Sequence, residues 1–347
     1  MDVLLSVPLI SAFFTPSWTT SINILFFYAT WSTLVLTHDP VNIHGVSLLT
    51  IRTFLWLIPS LLFLLFDSLL PSLAASIKWA GNAGLPSWTR GKTGKNGPTR
   101  ALRLTGLAVF NVLLLTAAEV GTAWVFRFFA GRALFRTSTT LPLPWQIFKH
   151  IGILFTAREV LTYYTHRNIL HGSGPLARLH TRWAHASGGG PSSLSLYADH
   201  PLPLLVLHVV PILLPSALLR PHFLTYLLFM VLVTGEGTMS HSGYSIVPGI
   251  ILGGVARRTA IHFASGGEAN FGAFGLLDFA HGTSQGKDAL EDLKDEADKH
   301  GVKQRASKKV DEGAGLIQNS VDALTGSSSS NGGSRRSGRK RTPKKAD

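Results

Sequence analysis

The chain has 347 residues, 46% of them hydrophobic and 15% charged, with a formal net charge of +13 and a mean hydropathy of +0.24. Soluble domains carry roughly 25% charged residues, so the composition argues against a soluble, disordered or fibrous protein. No cysteine is present, which excludes disulfide staples, zinc–thiolate sites, iron–sulfur clusters and a cysteine nucleophile; any metal must sit on nitrogen or oxygen donors. A basic balance points to nucleic acid or an anionic membrane surface, and the apolar blocks favour the membrane.

Ile22–Leu36 is the first apolar block, Phe54–Ile77 the second with Asp67 as its one charge, and Leu104–Phe126 the third, interrupted by Asn111 and Glu119. Each approaches the ~20 residues of a transmembrane helix. Residues 1–51 contain no Lys or Arg; without a basic n-region the segment is expected to stay in the mature chain. Gly81–Arg100, with Arg90, Lys92, Lys95 and Arg100, reads as a cytoplasmic loop. Pro144–Tyr164 reads as a fourth helix returning to the cytoplasmic side despite Lys149, His150, Arg158 and Glu159. Arg127, Arg132 and Arg136 would then be lumenal, against the positive-inside tendency.

Leu202–Val233 contains Pro211, Pro215 and Pro221. Proline breaks helix interiors, so two arms of about a dozen residues are expected, too short to span and better read as a re-entrant hairpin. Beyond Gly282 the chain turns polar: Asp288–His300 is a charged helix candidate, Val302–Leu324 a surface helix with Leu316, Ile317, Val321 and Leu324 at helical spacing, and Gly326–Gly333 a Ser/Gly linker. There are no repeats, no glycine-rich phosphate loop and no nucleic-acid motif, so no nucleic-acid partner is expected.

The chain has fourteen histidines. His166 and His171 form one His-x4-His pair and His180 and His185 a second; His200, His241, His262 and His281 follow. Neutral imidazole is a good ligand for iron, zinc or copper. Residues five apart on an ideal helix point about 140° apart, so such a pair shares a metal only near a helix end, or its members serve different metals.

The segments Tyr164-Thr-His166-Arg-Asn-Ile-Leu-His171 and Leu179-His180-Thr-Arg-Trp-Ala-His185 resemble the first two histidine boxes of the fatty acid hydroxylase/sterol desaturase superfamily. Tyr197-Ala-Asp-His200-Pro and His241-Ser-Gly-Tyr244 resemble later signatures, and Arg257–Phe263 stands in the place of the third box. Asn270-Phe-Gly272 and Leu277-Asp278…His281-Gly282-Thr283 resemble the closing elements. The resemblance covers about residues 140–283 in order and spacing.

The resemblance implies an all-α, multi-pass helical membrane protein with a cytoplasmic histidine-rich cap holding two non-haem irons. It implies O2-dependent hydroxylation or desaturation of a lipid (sterol, sphingolipid or fatty acyl), with electrons from a separate cytochrome b5 and its reductase. The expected organisation is N-terminal transmembrane helices over 1–139, a histidine-box domain over 140–283 and a charged, largely disordered cytoplasmic tail over 284–347. His166, His171, His180, His185, His241 and His262 are the candidate metal ligands, with His200 a weaker seventh.

Several positions depart from the pattern. The second box keeps only His185, flanked by Ala184 and Ala186, and the third-box positions read Thr259, His262 and Phe263. A further family histidine would fall at Gly237. Such a set suits one metal better than two, unless Asp199, Glu236 or Glu268 supplies oxygen donors. The departures leave open an altered metal site doing another lipid modification, or a non-catalytic lipid-binding membrane protein. Glu119 inside an apolar block is either functional or hydrogen-bonded near Asn111. Tyr163 and Tyr164 either line a lipid path or pack at the interface, and His208 and His222 read as structural. His38 and His44 carry no signal. The chain ends Lys344-Lys345-Ala346-Asp347 after a strongly basic stretch. This resembles a dilysine retrieval signal, which implies an endoplasmic-reticulum membrane protein with a cytoplasmic C-terminus.

Overall fold

The computed structural model describes residues 18–86, 89, 97–185, 190–287 and 291. The expected tail elements after Lys287, the basic middle of the 81–100 loop and the dilysine end lie outside the described residues. Among the described residues there are helices and no strands. Four helical runs are long and apolar enough to cross a membrane: Pro40–Leu69, Thr99–Ala130, Pro201–Leu219 and Phe223–Ser240. The protein is an all-α, multi-pass membrane protein.

Helix α1 is Trp18–Thr37 and α2 is Pro40–Arg52. A π turn, Thr53–Leu57, carries α2 directly into α3, Ile58–Leu69. The short α4, Pro71–Ile77, follows a break at Leu70. The second span therefore starts and ends earlier than the block Phe54–Ile77 suggests. Pro71 disfavours helical backbone at the residue before it, which ends the run. Helix α5 is Gly97–Ala130 and α6 is Pro144–Tyr164. The second of these has the bounds read from sequence but is not among the four apolar runs. Prolines 40, 71, 144, 175 and 201 all open helices, where the missing N–H has no intrahelical acceptor to lose.

The proline-rich segment corrects the sequence reading. Pro201–His208 (α8), a π turn at Val209–Leu213 and Leu214–Leu219 (α9) form one continuous run. The π turn takes up Pro211, which has no N–H to give the α ladder. Arg220 then turns with left-handed backbone, and α10 runs Phe223–Ser240. The arms have 19 and 18 residues, or about 27–28 Å at the helical rise. The length argument for a re-entrant hairpin therefore fails, because both arms approach the ~30 Å of a bilayer core.

The runs are antiparallel. At one end Asp39 pairs with Arg127, and Arg136 bonds the backbone of Pro221 and Phe223. At the other end Asp67 holds Lys78 at 2.5 Å and Tyr244 at 2.7 Å. Between them Leu48, Phe135, Leu154, Phe223, Tyr226 and Met230 form an apolar core.

That core encloses charge. Arg52 and Glu119 are an ion pair with side chains 0% and 1% exposed. His208 Nε2 meets Glu119 Oε1 at 3.0 Å, the Tyr226 hydroxyl donates to Oε2 at 3.2 Å, and Arg52 donates to Thr116 at 2.5 Å. Asn111 is not Glu119's partner; it donates to the carbonyls of Tyr197 and Asp199 at 2.7 and 2.8 Å. His222 caps α10 by accepting from Leu224 N, so His208 and His222 hold structure.

Candidate metal centre

The two His-x4-His pairs sit where helices end. His166 lies in a π turn, Thr165–Leu170, that continues α6, and His171 closes it by donating its N–H to the His166 carbonyl at 2.9 Å. A π turn bonds i to i+5, so residues five apart return to one face. The two rings are 4.8 Å apart. His180 lies on α7, Pro175–Ala184, and His185 is its C-cap, with rings 5.3 Å apart.

These four rings and His262 of α11, Ile250–Ala264, form a single cluster. His262 is 4.7 Å from His166, 5.1 Å from His171 and 5.0 Å from His185, centroid to centroid. His171 is 5.0 Å from His180 and 5.1 Å from His185. Two triads can be drawn, His166/His171/His262 and His171/His180/His185, with donor atoms within 4.8 Å of one another in each. Both triads use His171.

The Nδ1 atoms of three rings are fixed. His262 Nδ1 meets the Ala269 carbonyl at 2.7 Å, and His166 Nδ1 meets the Phe271 carbonyl at 3.1 Å. A carbonyl can only accept, so each Nδ1 carries the proton and each Nε2 keeps its lone pair. His180 Nδ1 meets Asp199 Oδ2 at 2.5 Å, to the same effect. His171 Nε2, His180 Nε2 and both nitrogens of His185 are buried without a hydrogen-bond partner. Burial, and then the neighbouring imidazoles, hold His166 and His262 well below the ordinary histidine range; burial lowers His185 to about 4. All three are neutral at pH 7, the form that binds metal.

The closing motifs build this geometry. Asn270 has left-handed backbone, φ +58°, which asparagine tolerates, so the carbonyls on either side of it reach two different histidines. Asp278 accepts from Phe271 N at 2.8 Å, Gly272 N at 2.6 Å and the Thr283 hydroxyl at 2.8 Å. Glu159 accepts from Phe274 N at 2.6 Å and Leu276 N at 2.8 Å. Gly267, at φ +91°, lies flat against His171, and a Cβ there would collide with the ring.

His241 is apart from the cluster. It lines the same cavity of about 190 Å³ as His166, His180, His185 and His262. Its nearest ring is Phe263, at 5.9 Å, and its Nδ1 meets the Gly237 carbonyl at 2.9 Å. Phe263 also packs against His185, with ring centroids 5.2 Å apart and the planes tilted by 40°. His200 caps α8 and packs on Trp183. The candidate carboxylates are engaged elsewhere or turned outward: Asp199 orients His180, Glu236 is bidentate with Arg158 at 2.6 and 3.0 Å, and Glu268 is exposed. Tyr163 and Tyr164 bond Thr283 and His281.

Residues 151–283 match the family model described as fatty acid hydroxylase. The chain carries a fatty acid hydroxylase domain. No solved structure matches the chain. The family is one of lipid hydroxylase and desaturase type and is generally di-iron. In this region five imidazoles cluster, while the His241 side has Phe263, Thr259 and Gly237 at the positions where the resemblance puts histidines. A Cβ on Gly237 would stand 3.0 Å from Leu196, so a leucine closes that position. Glu159 and Gly267 are supporting residues to which the sequence reading gave no role, while Asn270 was read within a closing motif.

Proposed function

We propose that the protein is a membrane-bound, iron-dependent enzyme that modifies a lipid, with His166, His171, His180, His185 and His262 holding one metal ion. The observation that carries this reading is the set of buried imidazole nitrogens without a hydrogen-bond partner beside rings whose other nitrogens are already fixed. An unsatisfied buried polar atom is costly unless it has a ligand. The donors fit one ion. They do not fit two, because both triads need His171 and the other side offers a phenyl ring and a glycine.

Iron on a neutral imidazole set would supply activation of O2 toward an unactivated C–H bond. The chain's own part is to fix the donor nitrogens, exclude water with Phe263 and Phe271, and present a mostly apolar cavity. The departures on the His241 side favour a redirected reaction over the full family chemistry, and His241 with Phe263 faces the substrate space. Cytochrome b5 and its reductase are the electron donors of this reading. Residence in the endoplasmic-reticulum membrane, with the basic stretch 335–345 on the cytoplasmic side, belongs to this reading. The test is elemental analysis of the purified full-length protein. About one iron per chain is expected from this donor set; two irons overturn the single-ion reading, and iron retained in His171→Ala overturns the ligand set.

A further inference from the structure

The end of the bundle away from the histidine cluster carries positive charge that the fold leaves unbalanced. Arg132 and Arg136 lie in the connection between α5 and α6, Lys149 near the start of α6, and Arg220 at the corner between α9 and α10. Asp39 is the acid at this end among the described residues, and Arg127 takes it. Among the described residues none of the four other cations has an ion-pair partner.

The fold holds these cations together. Arg136 N donates to the Pro221 carbonyl at 3.1 Å, and Phe223 N donates to the Arg136 carbonyl at 2.9 Å, which lays residue 136 beside the α9–α10 corner. Arg220 has left-handed backbone, φ +46°, and its side chain folds back onto the same connection. Its Nε donates to the Leu134 carbonyl at 3.0 Å and its Nη2 to the Ala133 carbonyl at 2.9 Å, and the guanidinium lies over the Phe126 ring at 5.3 Å. The group is thus fixed in place with Nη1 outside these bonds. Partial burial and then the like charges of Arg132 and Arg136 lower its pKa. The charges of Arg136 and Lys149 both act on His150, whose buried Nδ1 has no hydrogen-bond partner. Like charges held side by side repel, and a bound anion removes the repulsion.

The cluster stands at the boundary of the membrane runs. Thr99–Ala130 and Pro201–Leu219 end here and Phe223–Ser240 begins. Trp124, Phe128 and Phe129 at the end of α5 and Trp145 and Phe148 at the start of α6 are strongly exposed rings, as in the aromatic belt of a membrane interface. We propose that Arg132, Arg136, Lys149 and Arg220 bind the phosphate of one anionic phospholipid, whose chains lie along the exposed aromatic rings of α5 and α6. Guanidinium forks suit phosphate oxygens, and basic pockets between membrane helices take anionic head groups. The bound lipid staples the connection after α5 to the α9–α10 corner. It also accounts for Arg132 and Arg136 at an end where the positive-inside tendency disfavours them, because a ligand balances their charge. The site is independent of the metal and of the reaction.

The experiment strips full-length protein of lipid in neutral detergent and titrates it with phosphatidylglycerol or with phosphatidylcholine of the same chains. Native mass spectrometry counts the bound lipid, and thermal unfolding reads its effect. One phosphatidylglycerol per chain should be retained where phosphatidylcholine is not, and it should raise the unfolding midpoint. Arg132→Gln/Arg136→Gln, which alters two exposed side chains, should weaken that binding at least about tenfold. Lys149→Gln, on a separate element, should weaken it by a smaller factor. Lys344→Gln/Lys345→Gln, which removes two charges from the tail, should leave it unchanged. Equal retention of the two lipids, or an unchanged affinity in both the arginine and the Lys149 variants, overturns the proposal. An equal loss in the tail variant assigns the binding to diffuse charge and overturns it too. Inorganic phosphate that raises the midpoint as far as the lipid does assigns the cluster to a free anion, which also overturns it.

Discussion

Two polar centres are buried in this protein, and they differ in what they lack. The Arg52–Glu119–His208 knot lies within the membrane runs, and both Glu119 oxygens and both Arg52 Nη groups have partners. The histidine cluster is carried by elements outside those runs, the π turn after α6, α7 and α11, and keeps nitrogens without partners. Arg52 Nε also lacks a hydrogen-bond partner, but the knot's opposite charges are paired, and a paired network rigidifies a core, whereas a cluster of imidazoles with open nitrogens and one carboxylate among them is poised to take a ligand. The first centre therefore belongs to folding and the second to chemistry.

Mutation should separate them, and the largest effect belongs to the knot. Glu119→Ala leaves the Arg52 guanidinium buried without its counter-ion and should cost about 3–5 kcal/mol of stability. Thermal unfolding in detergent checks this; an unchanged midpoint would break the comparison. His171→Ala should do the opposite, leaving the metal-free midpoint nearly unchanged while lowering iron affinity by more than about 100-fold, since the partners of a ligand alone are worth 10–100-fold. Anaerobic isothermal titration with Fe(II) reads the affinity, and thermal unfolding of the metal-free sample reads the midpoint.

Two smaller changes sharpen the contrast. Asp199→Asn keeps the shape beside His180 but removes the carboxylate that fixes its proton, so iron affinity should fall roughly 10- to 100-fold with the fold intact. Gly267→Ala touches no donor, yet its Cβ would displace the His171 ring; a loss of iron without a loss of helicity by circular dichroism is the expected result. The Thr259→His/Phe263→His pair should have the smallest effect on stability and raise iron bound per chain. Unchanged stoichiometry would mean that Leu196 beside Gly237, and not the missing donors, limits the second position.

The runs Pro40–Leu69 and Thr99–Ala130 were readable in part from composition, as the blocks Phe54–Ile77 and Leu104–Phe126, because an apolar stretch of the right length has few alternatives. The histidine boxes were readable from spacing and order. Partnerships across long separations were not: Arg52 meets Glu119 67 positions away, and nothing local to either residue signals the other. Proline at 211 and 215 misled for a related reason. Local propensity says that proline ends a helix, but a π turn supported by the packing of Ile212 and Leu213 in the core carries the run through.

The π turn at the first histidine pair also changes how distance along the chain should be counted. It closes one turn with a residue more than the α ladder needs, so His166 and His171 share a face at a spacing that would part them on an ordinary helix. Removing a residue from Arg167–Leu170 would put the pair at the α-helical interval of four and keep both rings on one side. Its cost would appear downstream, where Pro175–Ala184 would be swung by about a hundred degrees and His180 carried off the shared centre. The extra residue in that turn is thus a setting of helical phase, and the second pair of histidines depends on it more than the first.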